Sequence, residues 1–319
     1  MASWILILVL AALFFVLGQG ASFLVDNLRR ILRGGRVSPL LAGLILGFLT
    51  TLPELIVGLN AIHRGIPGIS LGNLFGGLVV ILGLVLGIGI LFNGQIKNNG
   101  GHGALWHNLI FIALPLIMAL KGYINWLDGI FLLAVYVSLI LSFYYCGHQK
   151  ENPEHHHLLL GKNLKEIENK LLPWFLALVG VALVIATSGL IIKVAEMLLL
   201  RWGLEPVFIG LVLFSLGTNL PELVVAIKSG MSKSSGIALN HVLGSAAANA
   251  LILGILSLFT TFEVVLNFNF WITFAGIIIL LLCFGWFYTS QKRLSRWEGA
   301  IFLLVYLLFM AAQFWNLFK

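Results

Sequence analysis

Two short segments of the chain carry nearly the same residues in the same order. Leu49-Thr50-Thr51-Leu52-Pro53-Glu54-Leu55 is echoed by Gly217-Thr218-Asn219-Leu220-Pro221-Glu222-Leu223, at an offset of 168 residues. In each, a hydroxyl lies one helical turn before a carboxylate, so Thr50 and Glu54 share one helix face and Thr218 and Glu222 another. The proline between them has no amide hydrogen and clashes with the carbonyl four residues back. That predicts a kink at Pro53 and at Pro221 and frees the carbonyls of Leu49 and Gly217. Carboxylate, hydroxyl and carbonyl oxygens are the ligands a hard cation takes. A proline alone is usually an ordinary kink, and a lone Gly76 or Gly244 is usually a close-packing position between helices. The whole motif appearing twice is what argues for cation binding.

The elements that must hold these residues are membrane helices. Hydrophobic residues make up 60% of the 319 and charged ones 10%, outside the balance of a water-soluble domain. Apolar runs long enough for a bilayer core recur along the chain. We read ten of them: 4–24, 39–62, 69–92, 105–120, 126–146, 172–195, 207–228, 236–260, 268–288 and 298–318. None shows the alternation of a barrel strand. The fold class expected is an all-α membrane protein. A carboxylate inside such a span costs roughly 2.5 to 3.5 kcal/mol on insertion scales unless it is compensated. No Lys or Arg lies well inside a span to do so; Lys193 and Lys228 sit near helix ends, so a bound cation or a proton is the expected partner.

The charged stretch 149–171 divides the spans into five and five, giving an N-terminal repeat at 1–148 and a C-terminal repeat at 172–319. Five is odd, so the second repeat enters the membrane from the opposite side. Inverted repeats with interrupted helices are a recurrent plan of secondary transporters, whose substrate sits near the midplane between repeats. Arg29, Arg30, Arg33 and Arg36 follow the first run, which reads as an anchor and not a cleaved signal. Placing both termini outside puts 14 of the 19 Lys and Arg on inside segments. The pI near 9.5 is thus an orientation signal, with no basic helix face or aromatic platform for nucleic acid. Cys146 and Cys283 are too few and too far apart in sequence for a disulfide framework or zinc site.

The third and eighth spans differ. His241, Ser245 and Asn249 form a polar stripe at i, i+4 and i+8, where the first repeat has Asn73, Gly77 and Ile81, so the site is expected to be lopsided. His241 reads equally well as a proton-responsive ligand or a hydrogen-bonded packing residue. His155, His156 and His157 lie in the linker, where a histidine run either binds a transition metal or, more often, is solvated loop. His63, Arg64, Lys121 and Asp128 fall at span ends and read as interfacial anchors.

At these residues the chain resembles the cation/calcium exchanger superfamily, and the resemblance covers the whole ten-span plan. Its members carry a Gly-Thr-Ser-x-Pro-Glu type motif on the second helix of each half and a Gly-Asn-x-x-Gly-Ser-Asn-x-x-Asn type motif on the third. The first is matched well here; in the second, Gly72, Asn73 and Gly76 fit, while Gly77 stands for the serine, Ile81 for the final asparagine, and His241 for the second repeat's early asparagine. The resemblance implies that Glu54 and Glu222 are central calcium ligands, with oxygens lent by Thr50 and Thr218. Thr51 and Asn219 take the place of the motif's serine, and Ser245 and Asn249 match coordinating positions.

The expectation is an inner-membrane antiporter of prokaryotic type that exchanges calcium, or a similar cation, for sodium or protons by alternating access. It needs no cofactor and no covalent chemistry; its partners are lipid and inorganic cations. Three rival readings are a diverged exchanger for a monovalent or other divalent cation, a membrane enzyme using Glu54, Glu222, His241 and the linker histidines as metal ligands or acid/base groups, and a sensor or scaffold that binds a cation without moving it. No His-Glu-x-x-His motif and no nucleophile with a spaced base support the enzyme.

Overall fold

The computed structural model describes residues 3–31, 47–93, 95–97, 102–147, 171–231, 235–290 and 293–315. The linker 149–170 with its three histidines, and the start of the second expected span at 39–46, lie outside the described residues. The rest is almost wholly helical. The first half has α1 (Ser3–Ile31), α2 (Leu52–His63), α3 (Pro67–Val79), α4 (Leu86–Asn93), α5 (His102–Ala119) and α6 (Trp126–Gly147). The second has α7 (Leu171–Trp202), α8 (Pro206–Ile209), α9 (Ser215–Thr218), α10 (Leu220–Met231), α11 (Ser235–Ser257), α12 (Phe268–Ser290) and α13 (Arg296–Trp315).

Several of these are pieces of longer rods. A π-helical turn, Val80–Val85, joins α3 to α4, and another, Gly210–Phe214, joins α8 to α9. Five helices among the described residues are long and apolar enough to cross a membrane. A sixth, Pro206–Thr218 with Leu220–Ile227, qualifies as one span bent by 41°, and Leu105–Ala119, Trp126–Ser142 and His241–Ser257 are shorter apolar helices. Turn chemistry sets two of the boundaries. Gly65 and Gly203 take left-handed φ of 73° and 62° after α2 and α7, where a side chain would be strained, and Pro67 and Pro206 then start α3 and α8.

The rod from α3 through α4 forms the centre: 83% of its most apolar 18-residue stretch is buried, as a largely apolar helix enclosed by others should be. Glycine lets its neighbours come close. A Cβ on Gly72 would strike the backbone of Val207, one on Gly210 the backbone of Ile69, and one on Gly47 the backbone of Gly244. Gly76 would meet Ser215, the repeat counterpart of Gly47, just as Gly244 is the counterpart of Gly76. The same crossing therefore occurs twice. The rod containing Glu54 packs on α11 of the other half, and the rod containing Glu222 packs on α3.

On the flank, α1 and α7 cross closely, with Gly180 against Leu24. Strand β1 (Gln95–Lys97) pairs antiparallel with β4 (Arg293–Ser295), and β2 (Tyr123–Ile124) with β3 (Phe262–Glu263), so each two-stranded ribbon ties a loop of one half to a loop of the other. The outer helix faces carry Phe15, Phe175, Leu178, Leu200, Trp286 and Leu307, a lipid-facing surface with no polar partner to offer water.

Candidate functional site

Where α9 ends and α10 begins, Asn219 has φ −88° and ψ 10°; its counterpart Thr51, just before α2, has φ −92° and ψ 7°. The expected kinks are therefore breaks, each centred two residues before its proline in the sparsely allowed bridge region. Side chains hold both breaks. The Thr51 hydroxyl reaches the carbonyl oxygens of Gly47 at 3.0 Å and Phe48 at 3.1 Å, and Asn219 Nδ2 donates to the carbonyl of Ser215 at 2.8 Å. Gly47 and Ser215 are again counterparts. Thr51 thus spends its proton on the backbone, whereas Asn219 keeps its Oδ1 free.

Beyond each break the carboxylates point into the interior. Glu54 and Glu222 are each 1% exposed, and none of their four oxygens has a hydrogen-bond partner among the described residues. They lie within electrostatic reach of each other. The Thr218 hydroxyl approaches Glu54 and the Thr50 hydroxyl approaches Glu222, without closing a hydrogen bond in either case. Each repeat's threonine therefore faces the other repeat's glutamate.

The threonines are themselves held across the repeat boundary. Thr218 Oγ1 lies 3.1 Å from Asn73 Oδ1 and 3.0 Å from the carbonyl oxygen of Phe214. Thr50 Oγ1 lies 3.4 Å from His241 Nε2, 3.4 Å from Ser245 Oγ and 3.0 Å from the Gly47 carbonyl oxygen. Asn73 and His241 are counterparts, so this contact too is made twice. His241 and Ser245 join the site as the sequence suggested. Asn249 is buried with its Nδ2 3.5 Å from the Leu74 carbonyl oxygen and its Oδ1 unpartnered, like Oδ1 of Asn219. Of the residues expected to offer carbonyls, half-buried Leu49 and buried Gly217 both lie in the helical turn before the break, and the ring of Phe14 sits over Gly217 where a Cβ would be. Asn73 was legible only as a motif residue; the 168-residue offset maps it onto His241, and its place beside Thr218 is set by how the helices pack.

The arrangement is chemically one-sided toward cations. Both carboxylates and the amide oxygens of Asn219 and Asn249 are buried without a hydrogen-bond partner, as is the amide nitrogen of Asn73, and no Lys or Arg among the described residues is paired with either glutamate. Two ion pairs lie elsewhere: Arg64 holds Glu196 at 3.1 Å and Lys121 holds Asp128 at 2.6 Å. Those pairs explain the span-end charges more specifically than interfacial anchoring does. No cluster of three His, Cys, Asp or Glu occurs among the described residues, so the donor set is oxygen-rich and of the kind suited to hard ions.

The long apolar helices and the paired buried glutamates are those of an integral membrane protein with an acidic interior site. The chain belongs to the sodium/calcium exchanger protein family, whose sequence pattern matches residues 5–145 and 172–315. It is 27% identical over 311 residues to an uncharacterized membrane protein of Methanocaldococcus jannaschii, covering 96% of this chain and 98% of that one. It is also 25% identical to the sodium/calcium exchanger MaX1 of Methanosarcina acetivorans, covering 97% and 98%. A solved structure of the sodium-calcium exchanger NCX_Mj superposes with a TM-score of 0.68 at 25% identity, over 96% of this chain and 98% of that one.

Proposed function

We propose that the protein is a secondary antiporter that moves calcium, or a similar divalent cation, against sodium or protons. The observation that carries this reading is the set of four carboxylate oxygens of Glu54 and Glu222, buried and without hydrogen-bond partners beside the hydroxyls of Thr50 and Thr218. Two anions so placed repel each other and have lost their hydration, a combination that a bound divalent cation offsets. Thr50, Thr218, Ser245, Asn219, Asn249 and the carbonyls of Leu49 and Gly217 complete the ligand set in this reading, with Thr51 holding the break.

The reading places ten helices across the membrane as two inverted repeats, 1–148 and 172–319, joined by an inside linker at 149–171, with both termini outside a prokaryotic inner membrane. Support comes from the duplicated contacts: counterpart residues make the same crossing at Gly76–Ser215 and Gly47–Gly244, and the same hydrogen-bonding approach at Thr218–Asn73 and Thr50–His241. A site built on the interface of two such repeats changes its accessible side when they shift, without needing a second site.

The test is calcium-isotope flux into liposomes carrying the purified chain, under a sodium gradient, a pH gradient and neither, alongside Glu54→Gln and Glu222→Gln. Flux that needs one gradient and both carboxylates is expected, with either variant reduced by about a hundredfold or more, since each removes a full charge from a buried site. Calcium flux unchanged in both variants would remove the assignment. Flux of another cation with the same dependence would change the cargo and keep the site.

A further inference from the structure

The two flanks of the carboxylate pair are not equivalent, and the difference comes from one glycine. In the second half, Ser245 presents its hydroxyl 3.4 Å from Thr50 Oγ1, beside Glu222. Its counterpart in the first half is Gly77, which has no side chain to present. The space is filled from the other half. A Cβ on Gly77 would lie 2.6 Å from Asn249 Nδ2 and 3.3 Å from Asn219 Nδ2.

Both amides are oriented by their own hydrogen bonds. Asn219 Nδ2 donates to the Ser215 carbonyl and Asn249 Nδ2 to the Leu74 carbonyl; neither carbonyl could accept from an amide oxygen, so the NH2 ends face Gly77 and the Oδ1 ends turn away. The counterpart of Asn249 is Ile81, fully buried in the π-helical turn, which adds no oxygen. On the Thr50 flank Ser245 adds a second hydroxyl, whereas on the Thr218 flank that place is taken by hydrocarbon and N–H donors, with Asn219 Nδ2 lying 2.8 Å from the Ser215 carbonyl oxygen and 3.4 Å from Thr218 Oγ1 and so covering the oxygens that lie there. An NH2 group carries partial positive charge and excludes a cation from the position it covers.

From this juxtaposition we infer that Gly77 is a specificity-determining residue: by leaving room for the Asn249 and Asn219 amides it closes the first-half flank to cations. Ions then enter only between the carboxylates and on the Thr50–Ser245 side. The inference rests on the proposed exchanger reading and adds to it which side of the carboxylate pair a monovalent counter-ion can use. A serine at 77 would push the Asn249 amide aside, which is feasible because the crowding atom is the free end of a side chain, and would put an oxygen in its place.

The test is equilibrium dialysis of radioactive calcium against the full chain in nanodiscs at fixed pH, competed with sodium, for the wild type, Gly77→Ser and Gly77→Ala. In Gly77→Ser, sodium is expected to displace calcium along a steeper curve and at roughly tenfold lower concentration, the worth of one new oxygen contact to a charge. Gly77→Ala displaces the same amide without supplying an oxygen, so its sodium curve should shift less than that of Gly77→Ser. A Gly77→Ser curve no different from that of Gly77→Ala overturns the inference. Asn249→Asp, which replaces the NH2 by an oxygen at nearly constant shape, should gain sodium sensitivity in the same direction; a loss or no change counts against it equally. If the wild type binds no calcium, the cargo reading fails by itself. The flank is then judged by the sodium-dependent rise in melting temperature, which must be larger for Gly77→Ser than for Gly77→Ala or the inference falls.

Discussion

Hydroxyl groups at this site do two different jobs, and the hydrogen-bond pattern separates them. The Thr218 hydroxyl stands between Asn73 and Glu54 in the site interior, whereas the Thr51 hydroxyl is bonded to the carbonyls of Gly47 and Phe48 at the helix break. Removing the first should damage ion binding, and removing the second should damage the fold. Thr218→Val is therefore expected to weaken calcium binding by about tenfold, one hydrogen bond's worth at a charged group, with the melting temperature little changed. Thr51→Val should lower stability by about 1 kcal/mol through loss of that backbone support, with calcium affinity changing less. Dialysis and thermal unfolding of both variants check the contrast, and equal patterns in the two would show that the hydroxyls are not divided in this way.

At the scale of elements, the site exists because two broken helices cross two unbroken ones at nearly backbone contact. Gly72 and Gly210 meet where α3 crosses the π-helical turn after α8, and a Cβ on either would strike main-chain atoms of the other rod, which cannot step aside as a side chain can. Gly72→Leu or Gly210→Leu should therefore cost about 1 to 3 kcal/mol or more by overpacking and abolish flux by moving Thr218 and Glu222 away from Asn73 and Glu54. Gly189→Leu on α7 is the control, because a Cβ there meets nothing within 4 Å. It should be neutral to within about 0.5 kcal/mol. Thermal unfolding in detergent and flux in liposomes report on each; a Gly72→Leu protein that transports normally would show that the close approach is not needed.

Over the whole molecule, charge is placed away from the site and hydrocarbon faces outward. Arg64, just past the end of α2, pairs with Glu196 on α7, and the two side chains are 29% and 34% exposed, so the pair is partly solvated and salt-screened. Glu196→Gln is expected to cost no more than about 1 kcal/mol, and less at high salt. Melting curves at low and high ionic strength check this; a larger, salt-insensitive loss would mean that the pair holds α2 against α7 more firmly than its exposure suggests. Two β-ribbons, one at Gln95–Lys97 with Arg293–Ser295 and one at Tyr123–Ile124 with Phe262–Glu263, further join loops of the two halves.

Much of this was legible from residue types and spacing. Apolar runs located the helices, because lipid leaves a spanning backbone few alternatives. The repeated Thr-x-Leu-Pro-Glu segment marked Glu54 and Glu222, because a buried carboxylate without a basic neighbour needs a reason. What the chain order could not express was the crossing of the halves: Thr50 with His241 and Ser245, and Thr218 with Asn73, are contacts across 145 to 195 residues that depend on how rods pack. The substitution of Gly77 for a serine counterpart could be read as a lost ligand, and only the packing turns it into a gain for Asn249 and Asn219, whose amides occupy the room it leaves. Composition and local pattern thus determined which residues must be buried in helices and which of them carry charge. Which oxygen faces which was decided by the tertiary structure, because side chains from four separate helices converge there and no spacing along one helix specifies their approach.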